Sequence, residues 1–284
     1  MLEIPYVSRT ETGPDFTMEV YLDFANERLR VDDFRGSALS AADRVRELAK
    51  EHSCSKVFIK TRWEDVGALL SRGYMIEGVF KGYFNGSDAY SLALYFTDER
   101  RTSEYWMEED EILHQVGQMD SASKIPVLPD GYSIRLAEKM DAKKLADLYR
   151  IVFPIYPTPM DQPDYVQKMM EEGTVFQVIE CGGQIVAAAS AEINSAYNNA
   201  EMTDCATLPE HRKHGLMKIL IHALEEELIS RHIYCHYSLA RALSFGMNAV
   251  FHQLGYEYTG RLTKNCNIFD KLEDMNLWVK PIGR

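Results

Sequence analysis

The sequence predicts an α+β (mixed α/β) fold: a mixed, mostly antiparallel sheet with helices packed on it, in two domains. Three observations lead there. Two strand-length runs, 174–179 and 185–193, flank Cys181-Gly182-Gly183, a tight-turn sequence that makes them a hairpin. A passage starting at Glu201, EMTDCATLPEHRKHGLM, reads as strand, polar loop and helix. The chain of 284 residues exceeds the usual size of one domain, and a Ser-, Pro- and Gly-rich stretch interrupts it near 121–130.

Taken in order, 16–24 and 27–31 are strands joined at Ala25-Asn26, because Asn tolerates the positive φ of a tight turn. A helix at 40–50 carries Val45, Leu48 and Ala49 beside charges at helical spacing. A strand at 56–60 leads to a helix at 63–71 with Val66, Leu69 and Leu70 inward, ended by Gly73. Strands at 74–80 and 89–96 flank the turn-rich Phe84-Asn85-Gly86-Ser87-Asp88, and 104–119 is an acidic helix. The units are therefore 1–120, an N-terminal α/β domain; 121–130, a linker whose X-Pro steps resist helix; and 131–284.

In the second unit 132–137 is a strand, and Asp141 caps a helix running to 152. Pro154, Pro157, Pro159 and Pro163 make an irregular loop before a short helix at 164–172. After the hairpin and the passage from Glu201 come a strand at 232–237, a helix at 244–254 ended by Gly255, and strands at 256–262 and 275–280. There is one internal echo. LSRGYMIEG (70–78) and QLGYEYTG (253–260) are each a helix end, then Gly-Tyr, then a strand reaching Gly. The first domain is thus a candidate degenerate partial copy of the second, without the polar loop and with no catalytic role.

Composition excludes several function classes. The net charge of −12 argues against nucleic-acid binding, which needs a basic surface, and is compatible with a small cationic substrate. Cys54, Cys181, Cys205, Cys235 and Cys266 are odd in number, widely spaced and without C-x-x-C, so neither a zinc site nor a disulfide framework is indicated. No apolar run reaches membrane-span length, and the N-terminal sequence lacks the regions of a signal peptide. The expectation is a cytoplasmic protein with no membrane partner and no metal.

The chemistry is expected at Glu201 and beyond. Between strand and helix lies Pro209-Glu210-His211-Arg212-Lys213-His214-Gly215. Such a loop can aim several backbone N–H groups at one point, and the helix behind it adds its positive end. With Arg212 and Lys213 it is a receptor for phosphate or pyrophosphate.

The order of the second unit, with Arg212-Lys213-His214-Gly215-Leu216-Met217 in its loop, resembles the GNAT acetyltransferases, whose pyrophosphate signature is Q/R-x-x-G-x-G/A. Met217 departs from the last position. The whole chain is similar to the beta-lysine N-acetyltransferases in its length, in EMTDCATLPEHRKHGLM, and in a tail with Asn265-Cys266-Asn267-Ile268 and 273–281. The resemblance implies transfer of acetyl from acetyl-CoA to the N6 amine of β-lysine, a small cationic amine, giving a compatible solute. Another amine, a protein lysine, and a non-catalytic acyl-CoA-binding regulator stay as alternatives. The oligomeric state stays open, with a homodimer among the choices.

An alkylammonium must lose a proton before it attacks a thioester, and a carboxylate can accept it. Glu201 is the first candidate, since the resemblance places a Glu eleven residues before the loop's Q/R and 212 − 201 matches. Asp204 is second; strand alternation puts the two on opposite faces unless a bulge intervenes. Glu192 is a candidate for a second ammonium, and Tyr237 for substrate contact. For the cofactor the resemblance implies Cys205, Ala206 and Thr207 along the strand; Arg212, Lys213, His214, Gly215, Leu216 and Met217 in the loop; and Asn248 and Phe251 on the later helix. Phe251 stands where many members carry a thiolate-protonating Tyr, leaving Tyr234, Cys235, Tyr237 or solvent for that role.

Overall fold

A computed structural model describes residues 6–121 and 123–281. The N-terminal half runs β1 (Tyr6–Thr12), β2 (Phe16–Asp23), β3 (Arg28–Gly36), α1 (Ala38–Glu51), β4 (Lys56–Thr61), α2 (Trp63–Ser71), β5 (Met75–Phe84), β6 (Ser87–Tyr95), α3 (Asp98–Arg101) and α4 (Trp106–Gly117). The C-terminal half runs β7 (Tyr132–Leu136), α5 (Ala142–Val152), α6 (Pro163–Glu171), β8 (Val175–Cys181), β9 (Gln184–Asn194), β10 (Asn199–Thr207), α7 (Leu216–Ser230), β11 (Cys235–Arg241), α8 (Phe245–Gln253), β12 (Glu257–Ile268) and β13 (Lys271–Pro281).

Most elements form where their residue patterns place them. Ser37 caps α1 by accepting from Ser40 N (3.3 Å), and Ala38, Ala41, Ala42, Val45, Leu48 and Ala49 are its buried stripe. Four details differ from expectation. β1 was not foreseen, because its half-exposed YVSRTET shows little apolar alternation. The short α3 was not foreseen either; it precedes the expected helix at 104–119, which forms as α4, and Thr97 caps it while its Arg100 is buried and donates to Asn26 O (2.7 Å). Asp141 does not cap α5; its carboxylate accepts from Glu138 N (2.8 Å) in the preceding 3-10 turn and pairs with Arg135. β11 begins three residues late, because His232 takes positive φ (63°) to close the turn after α7.

Among the described residues the strands form one sheet, ordered β1-β2-β3-β4-β6-β5-β12-β13-β11-β10-β9-β8-β7. The order contains the same pattern twice. In β1 to β6 an antiparallel trio (β1, β2, β3) is followed by a parallel step from β3 to β4 across α1, then β6 and β5. In β8 to β13 the trio is β8, β9 and β10, the parallel step to β11 crosses α7, and β13 and β12 follow. The bulges repeat too: two residues of β3 (Asp32, Asp33) and two of β10 (Asp204, Cys205) interrupt the register at matching places.

The two patterns meet where β5 pairs with β12 at Gly78 and Gly260, the last residues of the two echoing segments. A Cβ on Gly260 would lie 2.1 Å from Glu77 O and 2.4 Å from Gly78 Cα, so only glycine permits this crossing. The expected linker is not a free tether. Ser123 N donates to Gln253 O (2.9 Å), and Pro126 lies against Gly215.

Although six strands separate β3 from β10 in the sheet, twist brings the two ends face to face. Arg35 donates to Tyr197 OH (3.0 Å), which donates to Asp33, and Asn199 Nδ2 donates to Tyr83 O (2.9 Å). An apolar cluster that includes Phe80, Tyr83, Tyr237, Leu277 and Val279 fills the seam between the halves, apart from the cores under α1 and under α5 and α7.

Candidate active site

β10 carries the site. It pairs with β11 only from Asn199 to Glu201 and then diverges, so its edge beyond Glu201 faces a gap rather than a neighbouring strand. The gap is part of a cavity of about 980 Å³. One wall is Ser238, Leu239, Ala240 and Arg241 of β11, with Met247, Val250 and Phe251 of α8. Ser238 donates to Met202 O (2.7 Å) and braces the divergent strands.

At the far end of β10 lies the polar loop. Lys213 (φ 69°) and Gly215 (φ 71°) are both left-handed, and Gly215 is the N-cap of α7. The first-turn amides of Leu216, Met217 and Lys218 therefore have no helical acceptor and point out of a fifteen-residue helix beside the exposed Arg212 and Lys213. Met217 contributes an amide like any residue, while its side chain is half-buried against the core. His211 is held by Tyr132 OH (2.7 Å from Nδ1). Among the described residues no cluster of His, Cys, Asp or Glu suits a metal ion.

The other end is acidic. The bulge at Asp204 and Cys205, with Asp204 at φ 49°, overrides the alternation. Asp204 accepts from Ser190 Oγ (2.6 Å), whose register partner is Thr203, so it points to the same face as Thr203 and Glu201. Glu192 stands directly opposite Glu201 on β9, and all three carboxylates line the cavity.

Their environments differ. Asp204 is buried and also accepts from Tyr156 OH (3.0 Å). Desolvation raises its pKa despite these two bonds. Glu201 has a raised pKa, chiefly from desolvation, with Lys60 and Arg30 pulling it down and Asp204 and Asp32 pushing it up. Glu192 is exposed at the lining of the cavity; desolvation, then the charges of Asp204 and Glu201, push it up to about 8.

The N-terminal half closes this end. Tyr6, Tyr21, Arg28 and Arg30 line the cavity opposite the carboxylates, with Tyr156 and Tyr165 beside them. Sequence reading missed these residues. The echo of 70–78 and 253–260 does not include them, and only the wound sheet brings the first strand pattern to face the second. The corresponding place in the first pattern, between β3 and β4, is zipped shut by Lys60–Asp32 and Arg62–Asp33 pairs, both 2.8 Å.

Comparison with known proteins settles the family. The sequence profile of the acetyltransferase (GNAT) family matches residues 142–256. The N-acetyltransferase YodP of Bacillus subtilis is 38% identical over 260 residues, covering 92% of this chain and 94% of that protein. The chain belongs to the GNAT acetyltransferase family. The beta-lysine N(6)-acetyltransferase of Methanosarcina mazei is 35% identical, covering 88% of this chain and 100% of that protein. Its counterpart in Methanococcus maripaludis is 34% identical, covering 83% and 86%. Among solved structures, the ribosomal-protein-S18-alanine N-acetyltransferase of Escherichia coli overlays with a TM-score of 0.47 at 18% identity, over 54% of this chain and 95% of that one.

A GNAT enzyme takes acetyl-CoA, which supplies the acetyl thioester, and the residues fit it. The α7 amides with Arg212 and Lys213 suit a pyrophosphate, and the free edge of β10 suits an amide-bearing arm. Of the expected cofactor residues, Cys205, Thr207, Arg212, Lys213, Gly215, Leu216, Met217 and Phe251 line the cavity. Ala206 points into the core on the other face of β10, and His214 is exposed beside Tyr132 rather than in the lining.

Asn248 is placed elsewhere. It is fully buried, donates to Arg241 O (2.9 Å) and Ser244 O (2.8 Å), and accepts from Asn276 (2.9 Å) and Trp278 Nε1 (2.8 Å). Its amide is used up in joining α8 to β13. Tyr237, expected to touch substrate, is instead packed edge-on to Phe80 (5.0 Å) in the seam. Neither it, nor buried Cys235, nor exposed Tyr234 lines the cavity.

Proposed function

We propose that this acetyltransferase moves the acetyl group of acetyl-CoA to the N6 amine of β-lysine, giving N6-acetyl-β-lysine. Two relatives bear that activity in their names at 34–35% identity over most of the chain. The observation that carries the reading is the end of the cavity: Glu192, Glu201 and Asp204 on one face of β9 and β10, opposite a wall from the N-terminal half. Three carboxylates suit a substrate with two ammonium groups.

Glu201 is the proton acceptor in this reading. Its raised pKa narrows the gap to an alkylammonium near 10.4, and no protein hydrogen bond occupies its carboxylate among the described residues. Asp204 has both oxygens engaged by Ser190 and Tyr156, so it orients Tyr156 and lends charge. Glu192 holds the second ammonium, and the arriving cation draws its pKa down from about 8. Acetylation removes one of the substrate's two positive charges, leaving a zwitterion of zero net charge, which suits accumulation as a compatible solute. The first test is competition. With β-lysine, α-lysine, spermidine and a lysine peptide at equal concentration, β-lysine is consumed first. Preference for the peptide or for spermidine contradicts the reading.

A further inference from the structure

Three cations from the N-terminal half stand near the acidic end of the cavity, and they are not equivalent. Arg28 is buried, with one terminal nitrogen on Asp23 (2.6 Å) and the other on Asn265 O (3.0 Å). Lys60 is buried and bound to Asp32 (2.8 Å) and Tyr83 OH (3.1 Å). Arg30 is different. Its Nε faces Asp32 Oδ2 at 2.9 Å, and its guanidinium lies over the Tyr21 ring at 4.5 Å. Its two terminal nitrogens carry no protein hydrogen bond among the described residues. The stacked ring and the ion pair with Asp32 hold the group, although Nε itself makes no hydrogen bond among the described residues, and the outer fork is left to the cavity, which Arg30 and Tyr21 both line.

The substrate of the reading above presents a charge problem that this arrangement answers. β-Lysine carries two ammonium groups and one carboxylate. Glu192 and Glu201 match the cations, but an acid-lined cavity repels the carboxylate unless a cation receives it. In β-lysine a single methylene separates that carboxylate from the carbon bearing the second ammonium. Its receptor must therefore adjoin the receptor of that ammonium, and the charge of Arg30 acts on both Glu192 and Glu201. A guanidinium fork held at one edge is shaped for bidentate capture of a carboxylate.

We propose that Arg30 binds the substrate's carboxylate, so that the N-terminal half selects amino acids over simple polyamines. This rests on the β-lysine reading. The test compares β-lysine with its carboxamide, 3,6-diaminohexanamide, and with 1,4-diaminopentane, using wild type, Arg30→Gln and Arg30→Lys. Wild type is expected to favour β-lysine over the carboxamide by roughly 50-fold in kcat/KM. Arg30→Gln reduces that preference to about threefold or less by raising KM for β-lysine far more than for the carboxamide, with acetyl-CoA affinity little changed. An equal loss on acid and amide, or a preserved preference, overturns the proposal.

Should Arg30→Gln fail to fold, Arg30→Lys decides. It keeps the charge and loses the fork, so the preference drops about tenfold, and an unchanged preference overturns the assignment. The two readings fail separately. A wild type that acetylates α-lysine but not β-lysine overturns the substrate, and Arg30 is then judged on lysine against lysinamide by the same criterion. Activity confined to amines without a carboxylate overturns both.

Discussion

Glu201 and Asp204 are three residues apart on one strand, and a single bulge gives them different surroundings. Glu201 faces the cavity with its carboxylate open, while Asp204 is bound on both oxygens. Glu201→Gln is expected to lower kcat at pH 7 by roughly 100-fold while acetyl-CoA affinity holds. The deficit shrinks as pH rises toward the amine's own pKa, because free amine then needs no protein base. Rates measured from pH 6 to 10 check this, and a deficit that is constant with pH moves the base elsewhere. Asn248 gives a contrasting prediction. Asn248→Ala leaves several buried partners unsatisfied, at about 1–3 kcal/mol each, and is expected to cost about 3 kcal/mol in a denaturant titration. A variant of unchanged stability but weakened acetyl-CoA binding would restore Asn248 to the cofactor. The resemblance singled out Glu201 in the sequence through its spacing from Arg212, and the structure lines the cavity with it. It could not show Asn248's role, since a buried hub and a ligand contact use the same amide.

At the scale of elements, the strand–loop–helix passage was legible because its turn chemistry is local: Pro209, Gly215 and the apolar stripe of α7 all act within a few residues. The expected bounds of α2 match the structure for the same reason, with Arg72 and Gly73 closing it. β1 and the full length of β12 were not legible. Thr263, Asn265 and Asn267 sit in β12 because they bind across the seam: Lys56 Nζ donates to Thr263 O (2.8 Å), Arg28 to Asn265 O (3.0 Å), and Asn267 N to Asn26 Oδ1 (2.6 Å). Such partners are more than 200 residues away in sequence and leave no local pattern. The Gly78–Gly260 crossing holds the same seam. Gly260→Ala forces a Cβ into Glu77 O and is expected to destabilise the fold by about 2–3 kcal/mol. Chemical denaturation of the variant measures this, and a neutral result would mean that β5 and β12 are free to separate there.

For the whole molecule, the winding of one sheet until its two ends meet converts a repeat into a site. The second pattern keeps its gap open, which suits the acetyl donor, and the first is closed at that place by Lys60–Asp32 and Arg62–Asp33 and faces the cavity with Arg30. Enclosure has a pH signature. Glu192, Glu201 and Asp204 all have folded-state pKa values above their unfolded ones, so the folded state binds more protons. Their contribution to stability therefore falls as pH rises from about 4.3, the unfolded value of a Glu, toward about 8 for Glu192. Glu192→Gln is expected to flatten the fall of Tm between pH 5 and 8 and to raise Tm at pH 8. A slope of Tm against pH that Glu192→Gln leaves unchanged would contradict the enclosed cluster.

β-Lysine offers two amines, and the position of the acetyl group on the product shows which of them is used. Wild-type protein is incubated with acetyl-CoA and β-lysine, and the product is fragmented by tandem mass spectrometry. A single product with acetyl on N6 and the C3 amine free is the predicted result. Acetyl on the C3 amine, or no acetylated β-lysine while another amine in the same mixture is consumed, would contradict the account.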